Sequence, residues 1–142
     1  MMAPDALNGD FRMIDHIGLA VSDLDAARRF YEPALKPLGI AAVMEVTEEM
    51  TGGHGAHLGM GRADKPFFWI GTSKPATGGC HVAFAAPDQA TVDAFYKAAM
   101  AAGGTDNGAP GLRPEYHPGY YGAFVLDPDG HNIEAVFHGA AG

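Results

Sequence analysis

Two stretches, His16-Ile17-Gly18-Leu19-Ala20-Val21-Ser22-Asp23 and His81-Val82-Ala83-Phe84-Ala85-Ala86-Pro87-Asp88, run in step at a constant offset of 65 residues, from 16 to 81. Beyond them Phe30-Tyr31 matches Phe95-Tyr96 and Gly39 matches Gly104 without a gap. Self-similarity at a fixed period is the signature of a repeated structural unit. Each half therefore predicts a strand, a helix and then about three strands. In the first half, Asp23 offers an N-cap. Leu24, Ala27, Phe30, Tyr31 and Leu35 fall on one helical face before Pro37 and Gly39 end the segment. The spacing predicts helices over residues 23–36 and 88–102, with Asp88 capping the second.

Strands follow the first helix at residues 40–46, 57–60 and 67–70, with the glycine-rich loop of Gly52, Gly53 and Gly55 between the first two. Residues 74–79 read as a connector. The second half closes on Asp127-Pro128-Asp129-Gly130, a turn in which Pro presets φ and Gly is free to take φ > 0. Apolar runs at 121–126 and 133–137 flank it, so the segment reads as a β-hairpin. Between residues 105 and 116 glycine and proline interrupt the pattern. Residues 1–12 read as a loose arm, 13–74 as the first module and 79–138 as the second.

The chemistry-bearing residues follow from the repeat. His16 and His81 hold the same place on the first strand of each half, and strand alternation puts Gly18 and Ala20, or Ala83 and Ala85, beside them. Small neighbours leave a cavity, where a packed core would take Val, Ile or Leu. The opposite parity, Ile17, Leu19, Val21, Val82 and Phe84, supplies the core under the helices. Glu134 is a carboxylate in an otherwise apolar strand. It either faces solvent from a half-buried sheet or turns inward to a cation, since burying an unpaired carboxylate is costly. Two imidazoles and a carboxylate from another strand match a facial triad with open coordination positions. Cys80 has the wrong parity to join His81 and reads as a small buried hydrophobe. His131 follows the turn and reads as exposed, and His138, which shares parity with Glu134, as its supporting partner. The His54-x-x-His57 pair sits in a glycine-rich loop, where that spacing fixes no facial geometry.

Composition bounds the class. The 142 residues suffice for one domain with a sizeable core, and a net charge of −8 argues against nucleic acid or anionic membrane as partner. No apolar run approaches the roughly 20 residues of a membrane span. The single cysteine cannot close an internal disulfide, and the start carries no signal-peptide pattern, which together predict a cytoplasmic protein.

On Asp15-His16-Ile17, the restart at His81, and the Asp-Pro-Asp-Gly turn followed by Glu134, residues 13–138 resemble the vicinal oxygen chelate superfamily. Its members include glyoxalase I, extradiol dioxygenases and bleomycin resistance proteins. The resemblance implies an α+β fold: two βαβββ modules related by pseudo-twofold symmetry, forming an incomplete barrel around a metal site. It implies His16, His81 and Glu134 as ligands of one divalent ion, with iron, manganese, nickel, zinc and cobalt all open. It further implies an enzyme, of lyase, isomerase or dioxygenase type, acting on a small substrate with adjacent oxygens. A metal-free binding protein of the same fold, as in bleomycin resistance, is the alternative. A homodimer is expected, with the site held in one chain or shared between two. Two positions depart from family patterns. Trp69 stands where glyoxalase I places a fourth ligand, and Phe124 where extradiol dioxygenases carry tyrosine. With Tyr120, Arg113 and His57, these two are the candidate pocket residues.

Overall fold

The computed structural model describes residues 13–139; the arm expected over 1–12 lies outside the described residues. The first module comprises β1 (Ile17–Ala20), α1 (Leu24–Leu35), β2 (Ala41–Val46), β3 (His57–Arg62) and β4 (Lys65–Gly71). The second comprises β5 (His81–Ala85), α2 (Gln89–Ala101), β6 (Thr105–Leu112), β7 (Tyr120–Leu126) and β8 (Asn132–His138). Each makes a four-stranded mixed sheet, ordered β1-β4-β3-β2 and β5-β8-β7-β6. The first and last strands of each module run parallel and the others antiparallel.

The repeat holds at the level of register. Gly18 pairs with Trp69 as Ala83 pairs with Glu134, and Gly59 pairs with Trp69 as Phe124 pairs with Glu134. Both helices start where the sequence indicates, with Asp23 accepting from the Ala26 amide and Asp88 from the Thr91 amide. The interrupted segment after α2 is one strand. β6 keeps its pairing with β7 through register shifts between Asp106 and Gly108 and between Gly108 and Gly111, the bulges that glycine accommodates at least cost.

The two sheets do not close a barrel within the chain. The helices pack on each other, and one core runs beneath them through Leu19, Phe30, Tyr31, Phe68, Phe84, Phe95 and Ile133. Aromatic rings carry it across the module boundary. Tyr31 lies 5.3 Å from Phe68, and Phe68 stands edge-on to Phe84 at 5.2 Å, the offset geometries ring quadrupoles prefer.

The Asp-Pro-Asp-Gly turn is the second tie between modules. Asp127, buried, accepts from the Tyr31 hydroxyl of α1 at 2.5 Å and from the backbone amides of Asp129 and His131. The Ser22 amide donates to Asp129 at 3.1 Å. His131 is buried rather than exposed: Nδ1 accepts from the Cys80 amide, so Nε2 carries the proton and donates to the Ala20 carbonyl at 2.9 Å. Cys80 in turn is exposed rather than buried, because it precedes β5 and the sheet's packed face does not reach it. Burial and the Asp127 carboxylate hold the Tyr31 phenol far above the usual tyrosine range.

Candidate metal centre

Alternation leaves one face of each sheet turned away from the helices. On the second module that face carries His81, Ala83, Glu134, Tyr120, Gly122 and Phe124. Glu134 is fully buried. Its Oε1 lies 2.8 Å from His81 Nε2, and its Oε2 accepts from the Tyr120 hydroxyl. Of the two orientations open to it, the carboxylate takes the inward one. Small neighbours make the room, since a Cβ at Gly122 would stand 3.3 Å from Glu134 Oε2. Burial, the bond to Glu134 and that carboxylate's charge push the Tyr120 phenol above its ordinary value, against an opposing pull from Arg113. Tyr120 therefore stays protonated and keeps donating. His138, expected to support Glu134, instead meets His117, with Nδ1 and Nε2 2.9 Å apart; Tyr120 takes the supporting place. The Phe124 ring sits 6.2 Å from that of His81.

On the first module the same face carries His16, His57 and Trp69. These three line one cavity with Asp15, Met44, Lys65 and Pro66. Trp69 lies across β3: a Cβ at Gly59 would fall 2.8 Å from the indole, so only glycine admits the ring. His16 Nδ1 bonds Asp15 at 2.8 Å. Both side chains are exposed, and His16 Nε2 has no hydrogen-bond partner among the described residues.

The expected three donors thus divide two and one. His81 and Glu134 are in contact; His16 stands on the other module's face. Among the described residues, no group of three or more His, Cys, Asp or Glu side chains is placed to hold a metal ion. His54 lies exposed in its loop, apart from the cavity that His57 joins. Arg113, in the loop leaving β6, folds back over Phe124 with its guanidinium carbon 5.4 Å from the ring centre.

The family model for the glyoxalase/bleomycin resistance protein/dioxygenase superfamily matches residues 13–135. The chain belongs to this superfamily. A glyoxalase/bleomycin resistance protein from Albidiferax ferrireducens T118 is 31% identical, with a TM-score of 0.72 over 90% of this chain and 100% of that one. Glyoxalase I from Zea mays is 21% identical, with a TM-score of 0.64 over 87% of this chain and 43% of that one. A glyoxylase/bleomycin resistance protein/dioxygenase domain from Frankia sp. EAN1pec is 16% identical, with a TM-score of 0.69 over 92% of this chain. The last two likenesses speak to the fold alone, and the chain spans under half of the maize enzyme. No curated protein sequence matches it.

Proposed function

We propose that this superfamily member is a divalent-metal-dependent enzyme acting on a small substrate with adjacent oxygens, and that its site is completed by a second copy of the chain. The observation that carries the reading is Glu134: a carboxylate with no exposed surface, on the open face of its sheet, in contact with His81. Desolvating a carboxylate costs several kcal/mol, and the strand has no structural need for one. A valine or leucine there would pack at no such cost.

The donor chemistry suits a borderline divalent ion, which takes imidazole nitrogen and carboxylate oxygen together. His81 and Glu134 would hold it from one chain and His16 from a partner chain. With the modules joined through their helices, the two open faces need other faces to cover them, and a twofold dimer would set the first module of one copy against the second of the other. When bound, the ion supplies Lewis acidity to the substrate's paired oxygens.

The remaining groups act from this chain's own geometry. Tyr120 holds its proton against Glu134 Oε2 and fixes the carboxylate's orientation. Asp15 bonds His16 through Nδ1. Phe124 and Trp69 give the pocket flat apolar walls that exclude water and favour a planar group. The competing reading, metal-free binding of a small molecule, draws on the separation of His16 from His81 and Glu134 within one chain. Metal analysis of protein purified without chelator separates the two. Near one equivalent per chain, lost in Glu134→Ala and kept in His54→Ala, supports the enzyme. A wild type with no bound metal that still binds small molecules supports the alternative.

A further inference from the structure

Arg113, like Arg62 toward the Leu38 carbonyl, turns its guanidinium to backbone rather than to a carboxylate, and it alone of the two lies over an aromatic ring beside the His81–Glu134 pair. The chain has 17 Asp and Glu against 9 Lys and Arg, so carboxylate partners are plentiful. Among the described residues Arg28 is the one lysine or arginine that takes them, bonding both Glu32 and Glu45. No described carboxylate lies within ion-pair distance of the Arg113 guanidinium; its close partner is the Ala109 carbonyl, 2.7 Å from Nη2. A guanidinium has five N–H donors; the Ala109 carbonyl takes one and the Leu112 carbonyl, 3.5 Å from Nη1, a second, which leaves three.

The backbone is shaped to hold the group there. The Arg113 amide donates to the Tyr120 carbonyl, which continues the β6–β7 pairing and puts the side chain on the Glu134 face. From that start it runs back over Gly111 and Gly108. A Cβ at Gly111 would stand 3.1 Å from Nη1, and one at Gly108 would stand 3.2 Å from Nη2. Both register shifts of β6 fall at these glycines, so the bulges and the missing side chains together form a lane for the guanidinium. Phe124 backs it through a cation–π contact, and the same ring neighbours His81.

We infer that Arg113 recognises an anionic group of the substrate, a carboxylate or a phosphate, on the Phe124 side of the His81–Glu134 pair. The inference takes the site's location from the reading above and does not depend on its metal. A planar fork of donors matches either oxyanion in bidentate fashion, and the aromatic wall suits a flat body attached to it. The substrate class is then a small, flat acid whose charged end meets Arg113 while its other oxygens face the donor pair.

The test uses chelator-treated full-length protein, titrated calorimetrically with benzoate, phenyl phosphate and the neutral benzyl alcohol. Either anion should bind at least roughly tenfold tighter than benzyl alcohol, the scale of one charge-assisted pair in a partly wet site. Whichever anion binds tighter identifies carboxylate or phosphate as the group recognised. In Arg113→Gln that preference should vanish, while benzyl alcohol binding changes less than about twofold. Gly111→Ala keeps the charge but displaces it and should cut the preference several-fold. Arg113→Lys should retain part of it. Thermal unfolding of each variant separates loss of recognition from loss of fold. A wild-type ratio near one, or an Arg113→Gln protein that keeps the preference, overturns the inference. Failure to bind metal overturns only the reading it sits within.

Discussion

Trp69 and Glu134 occupy the same place in the two modules: each sits opposite a small residue of its module's first strand, Gly18 or Ala83, and across from the equivalent position of the third, Gly59 or Phe124. One copy of the repeat carries a buried carboxylate there and the other an indole. Bulk is exchanged as well as charge. Trp69 overlies Gly59, whereas Glu134 faces Phe124 and takes up the room that Gly122 gives.

Substituting Trp69→Glu should therefore restore a carboxylate at the second equivalent position. With the dimeric site proposed above, that carboxylate joins the donor set. Metal retention against a competing chelator should rise, and affinity for acetohydroxamate, which needs two adjacent open positions, should fall about tenfold. Unchanged hydroxamate binding in a folded, metallated variant would place Trp69 away from the ion.

Glu134→Gln keeps the size and the Tyr120 contact but removes the charge. Metal affinity should drop by roughly a hundredfold or more, since even supporting partners of metal ligands are worth 10–100-fold. The metal-free variant should be at least as stable as metal-free wild type, because the desolvated charge is gone. A large fall in its thermal midpoint would instead mark Glu134 as a structural residue.

Tyr31→Phe tests the tie between modules. Deleting the hydroxyl leaves the buried Asp127 without one partner and should cost about 1–3 kcal/mol in denaturant titrations. Asp127→Ala should cost more, since it strands the Tyr31 hydroxyl and the Asp129 and His131 amides together. No change in either variant would show that the core alone fixes the modules.

The same tyrosine gives a pH signature. Its phenol is raised in the folded state, so its contribution is fully present below about pH 10, the unfolded value. Above that only the unfolded chain ionises, and stability falls as pH rises. Tyr31→Phe should flatten this alkaline loss. Tyrosinate absorbance should show Tyr31 titrating only on unfolding, and early, reversible ionisation of all five tyrosines would contradict it.

Much of this was legible in the residues. The gapless offset from His16 to His81 contains the register of the first strand on the last and of the third on the last in each module. The β6–β7 pairing instead slips by one residue against β2–β3 over most of its length. The helix caps at Asp23 and Asp88 were legible from the same offset. The β6 strand was not, as glycines that break a propensity pattern also permit bulges that keep the pairing. His131 is buried because its parity matches Ile133 and Ala135 on the packed face; alternation carried two residues beyond the apolar run puts it there. Parity misplaced Cys80, since alternation stops having meaning where the strand stops. His16, His81 and Glu134 stand out together in the sequence, but only His81 and Glu134 meet in the fold, because how the modules pack was not legible. Helix-to-helix packing is decided by tertiary burial, which no spacing within a module encodes.

The shared site is tested most directly by mixing two defective proteins. His16→Ala lacks one donor and Glu134→Ala another; each alone should bind metal weakly. After co-refolding, a mixed dimer places the intact His16 of one copy beside the intact His81 and Glu134 of the other, and its second site carries both lesions. Metal analysis of the isolated mixed dimer should find about one ion per dimer, against near none for either parent. No recovery of metal in a verified mixed dimer would contradict a site built across two chains.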